Sequence, residues 1–194
     1  MINHIKRQLF QSAKVKENLA ETQAENILSI GKACAESLKN GGKIMFCGNG
    51  GSAADSQHLA TELVVRLTSE RNRKALGGIA LTTDTSILTA CSNDYGYDDI
   101  FSRQVEALGK PGDILIAIST SGNSPNVLKA AEMAKKNSIK VVGFSGGKDG
   151  GKLAKSADMM LIVPSEIGQR IQESHITVGH IVIEIIEQEL FGDK

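Results

Sequence analysis

Apolar positions recur at helical spacing through residues 3–40, in two sets. Ile5, Leu9, Ala13 and Lys16 keep one register, and Ile27, Ile30, Cys34 and Leu38 keep another near 3.6 residues. The pattern predicts two helices. Gly41-Gly42 stops the second, because glycine past a helix end accepts the left-handed backbone found there. Beyond residue 42 the pattern changes to short apolar runs bounded by glycine or turn residues. KIMFC (43–47), GIAL (78–81), DILIAIS (113–119), KVVGFS (140–145) and MMLIVP (159–164) read as strands. Helical stretches lie between them, from Ser52 to about Leu67, over 99–109, from Pro125 to about Asn137, and over 168–191. Ser52 is placed to cap the first of these, with Asp55 where negative charge suits a helix N-terminus. Ser124 before Pro125 pairs a capping residue with proline at the first helical position. Strands alternating with helices imply βαβ units, hence an α/β fold with a parallel sheet covered on both faces. No linker or low-complexity tract interrupts the chain. Residues 1–194 read as one domain, with helices over 1–40 and an α/β core plus C-terminal helix over 41–194.

Composition narrows the class without naming a function. Of 194 residues, 22 are basic and 22 acidic, so the formal charge is zero and no polyanion partner such as nucleic acid is implied. No apolar run approaches the ~18 residues of a membrane span, and the polar, amphipathic start has no signal-peptide core. Cys34, Cys47 and Cys91 form no CxxC pair, which argues against a disulfide framework or a thiolate zinc site. The expectation is a soluble, cytoplasmic protein.

Two loops carry candidate chemistry. GNGGS (48–52) and STSGNS (119–124) each follow a strand and open a helix, the place where open α/β sheets bind ligands. Glycines let the backbone approach an anion, and helix N-termini favour negative charge. Ser119, Thr120, Ser121 and Ser124 add four hydroxyls that can donate to phosphate oxygens. Neither loop is GxxxxGK[ST] or GxGxxG, so a phosphate monoester on a small molecule fits better than a nucleotide. Plain tight turns are the bland alternative.

His58 and Glu62 share a helix face at i, i+4 and can exchange protons or bind a divalent metal. A solvated ion pair is the competing reading. Gln172 and His180 lie on the last helix, eight residues or ~12 Å of axial rise apart. That spacing strains a single site, so the expectation is that one of them serves a neighbouring chain. His175 reads as a buried structural histidine and His4 as solvated, while Arg170 and Glu173 can pair with neighbouring turns or stand as helix-surface charge.

CGNGGSAADSQHLATEL, ALTTDTSILTACSNDYGYDDIFSRQVEALG, ISTSGNSPNVLKA and RIQESHITVGH together resemble the phosphoheptose isomerases of the sugar isomerase (SIS) domain family, over essentially the whole chain. The resemblance implies a five-stranded parallel sheet of flavodoxin-like or Rossmann-like type, and a homotetramer with sites between subunits. It implies interconversion of sedoheptulose 7-phosphate and D-glycero-D-manno-heptose 7-phosphate, the first step towards the ADP-heptoses of lipopolysaccharide core or other surface polysaccharide. Carried over by position, Asn49, Gly50, Gly51, Glu62, Asn93, Asp94, Ser119, Thr120, Ser121, Ser124 and Gln172 touch substrate. Glu62 and His180 form the acid–base pair, and His58, Glu62, Gln172 and His180 hold one zinc ion per subunit. Aldose–ketose isomerisation needs a base at carbon and a group that manages protons on oxygen, a division of labour that a glutamate and a neutral histidine perform in triosephosphate isomerase, a standard example.

Three other readings compete, the blandest being a regulatory domain that senses a phosphosugar, a kind that usually comes fused to another domain. A SIS isomerase for a hexose or pentose phosphate would share the chemistry and differ in the pocket beyond carbon 3. A non-catalytic SIS phosphosugar-binding scaffold, of the type that binds the bacterial replication initiator, need not keep Glu62 and His180 together; this chain has both.

Overall fold

The structure, a computed structural model, describes residues 1–192; Asp193 and Lys194 of the expected domain lie outside it. Five strands form one sheet: β1 (Ile44–Gly48), β2 (Gly78–Ala80), β3 (Ile114–Ile118), β4 (Lys140–Gly146) and β5 (Met159–Val163). They are all parallel, in the order β2-β1-β3-β4-β5. β1 and β3 are adjacent but leave the sheet towards opposite sides, which makes their C-terminal ends the topological switch point.

The strands run continuously apolar because both faces are covered. Ile44 and Phe46 of β1, Ile114, Ile116 and Ile118 of β3, and Val142 and Phe144 of β4 face one core. That core is completed by α1 (Ile2–Lys39), α2 (Gly51–Val64) and α7 (Gly168–Phe191). Met45, Cys47, Leu115, Ala117 and Val141 point the other way, towards α4 (Ser102–Leu108) and α5 (Pro125–Lys136). The alternation follows the two-residue period of a strand. The two short helices α3 (Thr85–Asp94) and α6 (Leu153–Ser156) complete the chain.

Four local expectations change. Residues 2–39 form a single helix, not two. Neither proline nor glycine interrupts them before Gly31, so the shift in apolar register marks a change of environment. Val15 to Ser37 include the buried positions, whereas Ile2, Ile5, Leu9 and Phe10 are exposed. α3 was not expected: its sequence TSILTACSND buries only Cys91, so it has no apolar stripe to read. It is started by Asp84, whose carboxylate accepts from the Ile87 N–H. The third concerns α2. It begins before Ser52, with Gly50 as its cap at φ +57°, and ends at Val64, short of Leu67. The Asn49 and Gly50 carbonyls already accept from Ser52 and Ala53, which places Ser52 inside the first turn. The fourth is the 99–109 helix, which starts only at Ser102, after a 3-10 turn over Tyr97–Asp99. The last helix spans the expected residues.

Candidate active site

The loops after β1 and β3 sit side by side at the switch point. Gly50 supplies a backbone that an L side chain rarely adopts, and nothing crowds its missing Cβ. At Gly51 the constraint is space: a Cβ there would overlap the Gln172 side-chain amide, which reaches over from α7. The second loop is held by its own hydroxyls. Ser119 Oγ and Ser124 Oγ lie 2.9 Å apart, and Asn123 N–H donates to Ser121 Oγ. Ser124 occupies the cap position of α5, as expected, but its hydroxyl turns to Ser119 instead of capping. The loop borders a cavity of 480 Å³ lined by Thr120, Ser121, Asn123, Lys148, Asp149, Glu166, Ile171 and three glycines. Lys148, a cation beside two hydroxyl-bearing residues, suits a phosphate, and no sequence pattern singles it out.

Above the first loop, three side chains converge. His58 Nε2 lies 2.7 Å from His180 Nε2 and 3.4 Å from Glu62 Oε1. The two imidazoles meet edge to face at 75°. The i, i+4 spacing on α2 delivers His58 and Glu62 to one face, and packing of α2 against α7 brings His180 to them. All three come from one chain, so His180 meets Glu62 without a neighbour. Burial, and then the nearby His58, lower the His180 pKa, against an opposing pull from Glu62. The shift favours the neutral ring, the form that can accept a proton or ligate a metal.

The ligand atoms of His58, Glu62 and His180 lie within 4.8 Å of one another. Two imidazoles and a carboxylate are a donor set that zinc takes up, so the residues fit a divalent ion. Gln172 places its amide against Gly51, at the N-terminal end of α2.

Asn93 and Asp94 end α3, with a hydrogen bond from Asn93 Nδ2 to Asp94 Oδ1 between their own side chains. Tyr97, three residues on, does reach the site: its hydroxyl donates to Asn49 Oδ1 at 3.0 Å. Asn126 was also missed. It exchanges two 2.9 Å hydrogen bonds with Asn49, and no sequence pattern joins residues 77 positions apart.

Buried polar groups lie under both loops. Asp55, in α2, has an unpartnered Oδ2, and burial raises its carboxyl to about 6 against an opposing pull from His58. His175 is fully buried, as expected, with Nε2 donating to the Ser145 carbonyl at 3.1 Å. Burial lowers its pKa to about 4. His4 is exposed, as expected. Arg170 and Glu173 pair at 3.0 Å, and both reach α1, through Gln8 and Ser12.

A family model described as "SIS domain" matches residues 9–146. The chain is 55% identical over 180 residues to the phosphoheptose isomerase of Paramagnetospirillum magneticum, covering 91% of this chain and 92% of that one. It is 51% identical over 188 residues to the phosphoheptose isomerase of Leptospira biflexa, covering 97% and 96%. A solved phosphoheptose isomerase structure from Francisella tularensis superposes with a TM-score of 0.92 at 38% identity, covering 96% of this chain and 98% of that one. By model, sequence and superposition alike, the chain belongs to the phosphoheptose isomerases of the SIS domain family.

Proposed function

We propose that the chain interconverts sedoheptulose 7-phosphate and D-glycero-D-manno-heptose 7-phosphate through an enediol. The observation that carries this reading is the meeting of Glu62 with His58 and His180 beside two anion-suited loops. In the proposed arrangement the hydroxyls of Ser119, Thr120, Ser121 and Ser124 hold the phosphate. Asn49, Gly50, Gly51, Asn93, Asp94 and Gln172 take the remainder of the sugar. Glu62 moves the proton between carbons 1 and 2, which a carboxylate does well once its substrate is held against it. His180, neutral and within reach of the same position, passes protons between the sugar oxygens. His58, Glu62 and His180, joined by Gln172, would hold a zinc ion, which when bound supplies orientation and polarisation of the substrate oxygens.

Sites at subunit contacts in a homotetramer complete the reading. Its support is the row Ile2, Ile5, Leu9 and Phe10, large apolar side chains exposed along the first three turns of α1. We place the enzyme in the cytoplasm, at the head of a route to the ADP-heptoses of lipopolysaccharide core or other surface polysaccharide. Among the described residues no helix is long and apolar enough to cross a membrane.

The test is to incubate the purified protein with sedoheptulose 7-phosphate and follow aldose phosphate by NMR, with and without added zinc. Appearance of the manno-heptose 7-phosphate is the expected result. A folded protein that turns over nothing in either condition would point instead to a phosphosugar-binding scaffold.

A further inference from the structure

Asn49 has an amide whose two ends are chemically opposite, so its orientation decides what it can recognise. The surroundings leave one orientation. The Val127 backbone N–H donates to Asn126 at 2.9 Å, and an N–H can only face an oxygen, so that atom of Asn126 is Oδ1. Asn126 Oδ1 then also accepts from Asn49 Nδ2, and Asn126 Nδ2 donates to Asn49 Oδ1. Asn126 is 2% exposed and has no room to escape this pairing. The Tyr97 hydroxyl donates to the same Asn49 Oδ1, which fills both of its lone pairs. One Asn49 N–H remains.

We propose that Asn126 and Tyr97 are positioning residues that hold Asn49 as a pure hydrogen-bond donor towards the sugar. The group it meets must then be an oxygen acting as acceptor, which suits a carbonyl or an enediolate better than a hydroxyl that needs to donate. Tyr97 is more than half exposed, so it also forms part of the rim past which substrate enters. This assignment rests on the isomerase reading above. It adds the source of the polarity of the first loop, which lies in α5 and in the turn after α3.

The experiment compares Asn126→Asp, Asn126→Ala and Tyr97→Phe with the parent protein. Aspartate keeps the shape and still accepts from Val127 N–H, but cannot donate to Asn49. A merely structural Asn126 would show the cost of the buried carboxylate in stability and not as a selective loss of kcat/KM in the folded protein. The positioning role predicts that kcat/KM for sedoheptulose 7-phosphate falls at least about tenfold in Asn126→Asp, and a few-fold in Tyr97→Phe, as expected for one lost hydrogen bond. Affinity for inorganic phosphate, which meets the second loop, should stay within twofold. Parental kcat/KM in both Asn126→Asp and Tyr97→Phe overturns the proposal. So does a loss that phosphate affinity follows in proportion. If Asn126→Asp does not fold, Tyr97→Phe decides alone, since its hydroxyl is at the rim. An arm independent of turnover is side-chain amide exchange by NMR, with the Asn49 signal identified by its absence in Asn49→Asp. Its proton facing residue 126 should exchange at least about tenfold faster in Asn126→Ala. Unchanged exchange overturns the lock even in a protein that isomerises nothing, and a parent without turnover refutes only the isomerase reading.

Discussion

The loops 48–52 and 119–124 occupy equivalent places, each after a buried parallel strand and each opening a helix, yet they are built by different means. The second combines hydroxyl contacts of its own, Ser119 with Ser124 and Ser121 with Asn123, with backbone bracing from the segment 146–153: the Gly146 and Leu153 N–H groups donate to the Thr120 and Gly122 carbonyls, and the Lys152 N–H donates to Asn123 Oδ1. The first is shaped from outside. Asn126 and Tyr97 fix its asparagine, and Gln172 fills the space that Gly51 leaves. A loop whose hydroxyls lie close together in sequence can hold an anion by several neighbouring donors. A loop pinned by three distant elements can place one donor accurately, which suits the reacting end of a substrate.

The sharpest way to separate the loops from the chemistry is Glu62→Gln. Turnover should fall by about 10³-fold or more, the range expected for a missing base, while phosphate affinity at the second loop is kept. Substantial turnover in that variant, by the NMR assay, would remove Glu62 from its role.

Two glycines break the loops in different ways. Gly122→Ala combines a positive φ with overlap on the Gly150 backbone carbonyl, which cannot swing aside. It should cost about 3 kcal/mol or more in urea unfolding. Gly51→Ala meets only the end of a flexible side chain. Its unfolding free energy should change by less than about 1 kcal/mol, while zinc affinity, measured by chelator competition, weakens about tenfold as Gln172 is pushed away. Equal losses of stability in the two variants would erase the distinction.

The groups beneath the loops should respond to pH with opposite sign. His175 lies under the second loop, joined through Ser145 to the Gly150 carbonyl. Its folded pKa of about 4 lies below the ordinary 6.5, so the native state binds fewer protons than the unfolded one between those values. It contributes stability above pH 6.5 that is lost as pH falls towards 4, about 2 kcal/mol between pH 7 and 5. Asp55, near the first loop, has a folded pKa of about 6 against 3.8. The native state there binds more protons, so stability is lost as pH rises from 4 to 6. Denaturation curves across this range should show the acid-side loss grow in Asp55→Asn and shrink in His175→Gln. Parallel pH profiles in the two variants would contradict the assignment.

The smallest expected effect is that of Ser121→Ala with Ser124→Ala. KM should rise about tenfold with kcat little changed, because phosphate is bound equally in the ground and transition states. A defect in kcat alone would move the phosphate elsewhere.

What local sequence decided is whatever a segment settles by itself. Buried strands announced themselves as apolar runs between glycines, the helix over 168–191 by its long periodic pattern, and the second loop by four hydroxyls within six residues. His58 and Glu62 were legible as a pair because helix geometry alone puts i and i+4 together. α3 was not, since it buries one residue, and the unbroken α1 was not, since a change of burial along a helix looks like a gap between two. Other features depended on packing between elements. Only the seating of α2 against α7 brings His180 to His58 across 122 residues. Only the neighbouring ends of β1 and β3 set Asn126 against Asn49. A hydrogen bond is decided by distance in space, and chain pattern encodes distance only within an element. The identity and spacing of the reactive side chains were therefore written locally, whereas their convergence into one site came from the packing of α2 against α7 and the neighbouring ends of β1 and β3.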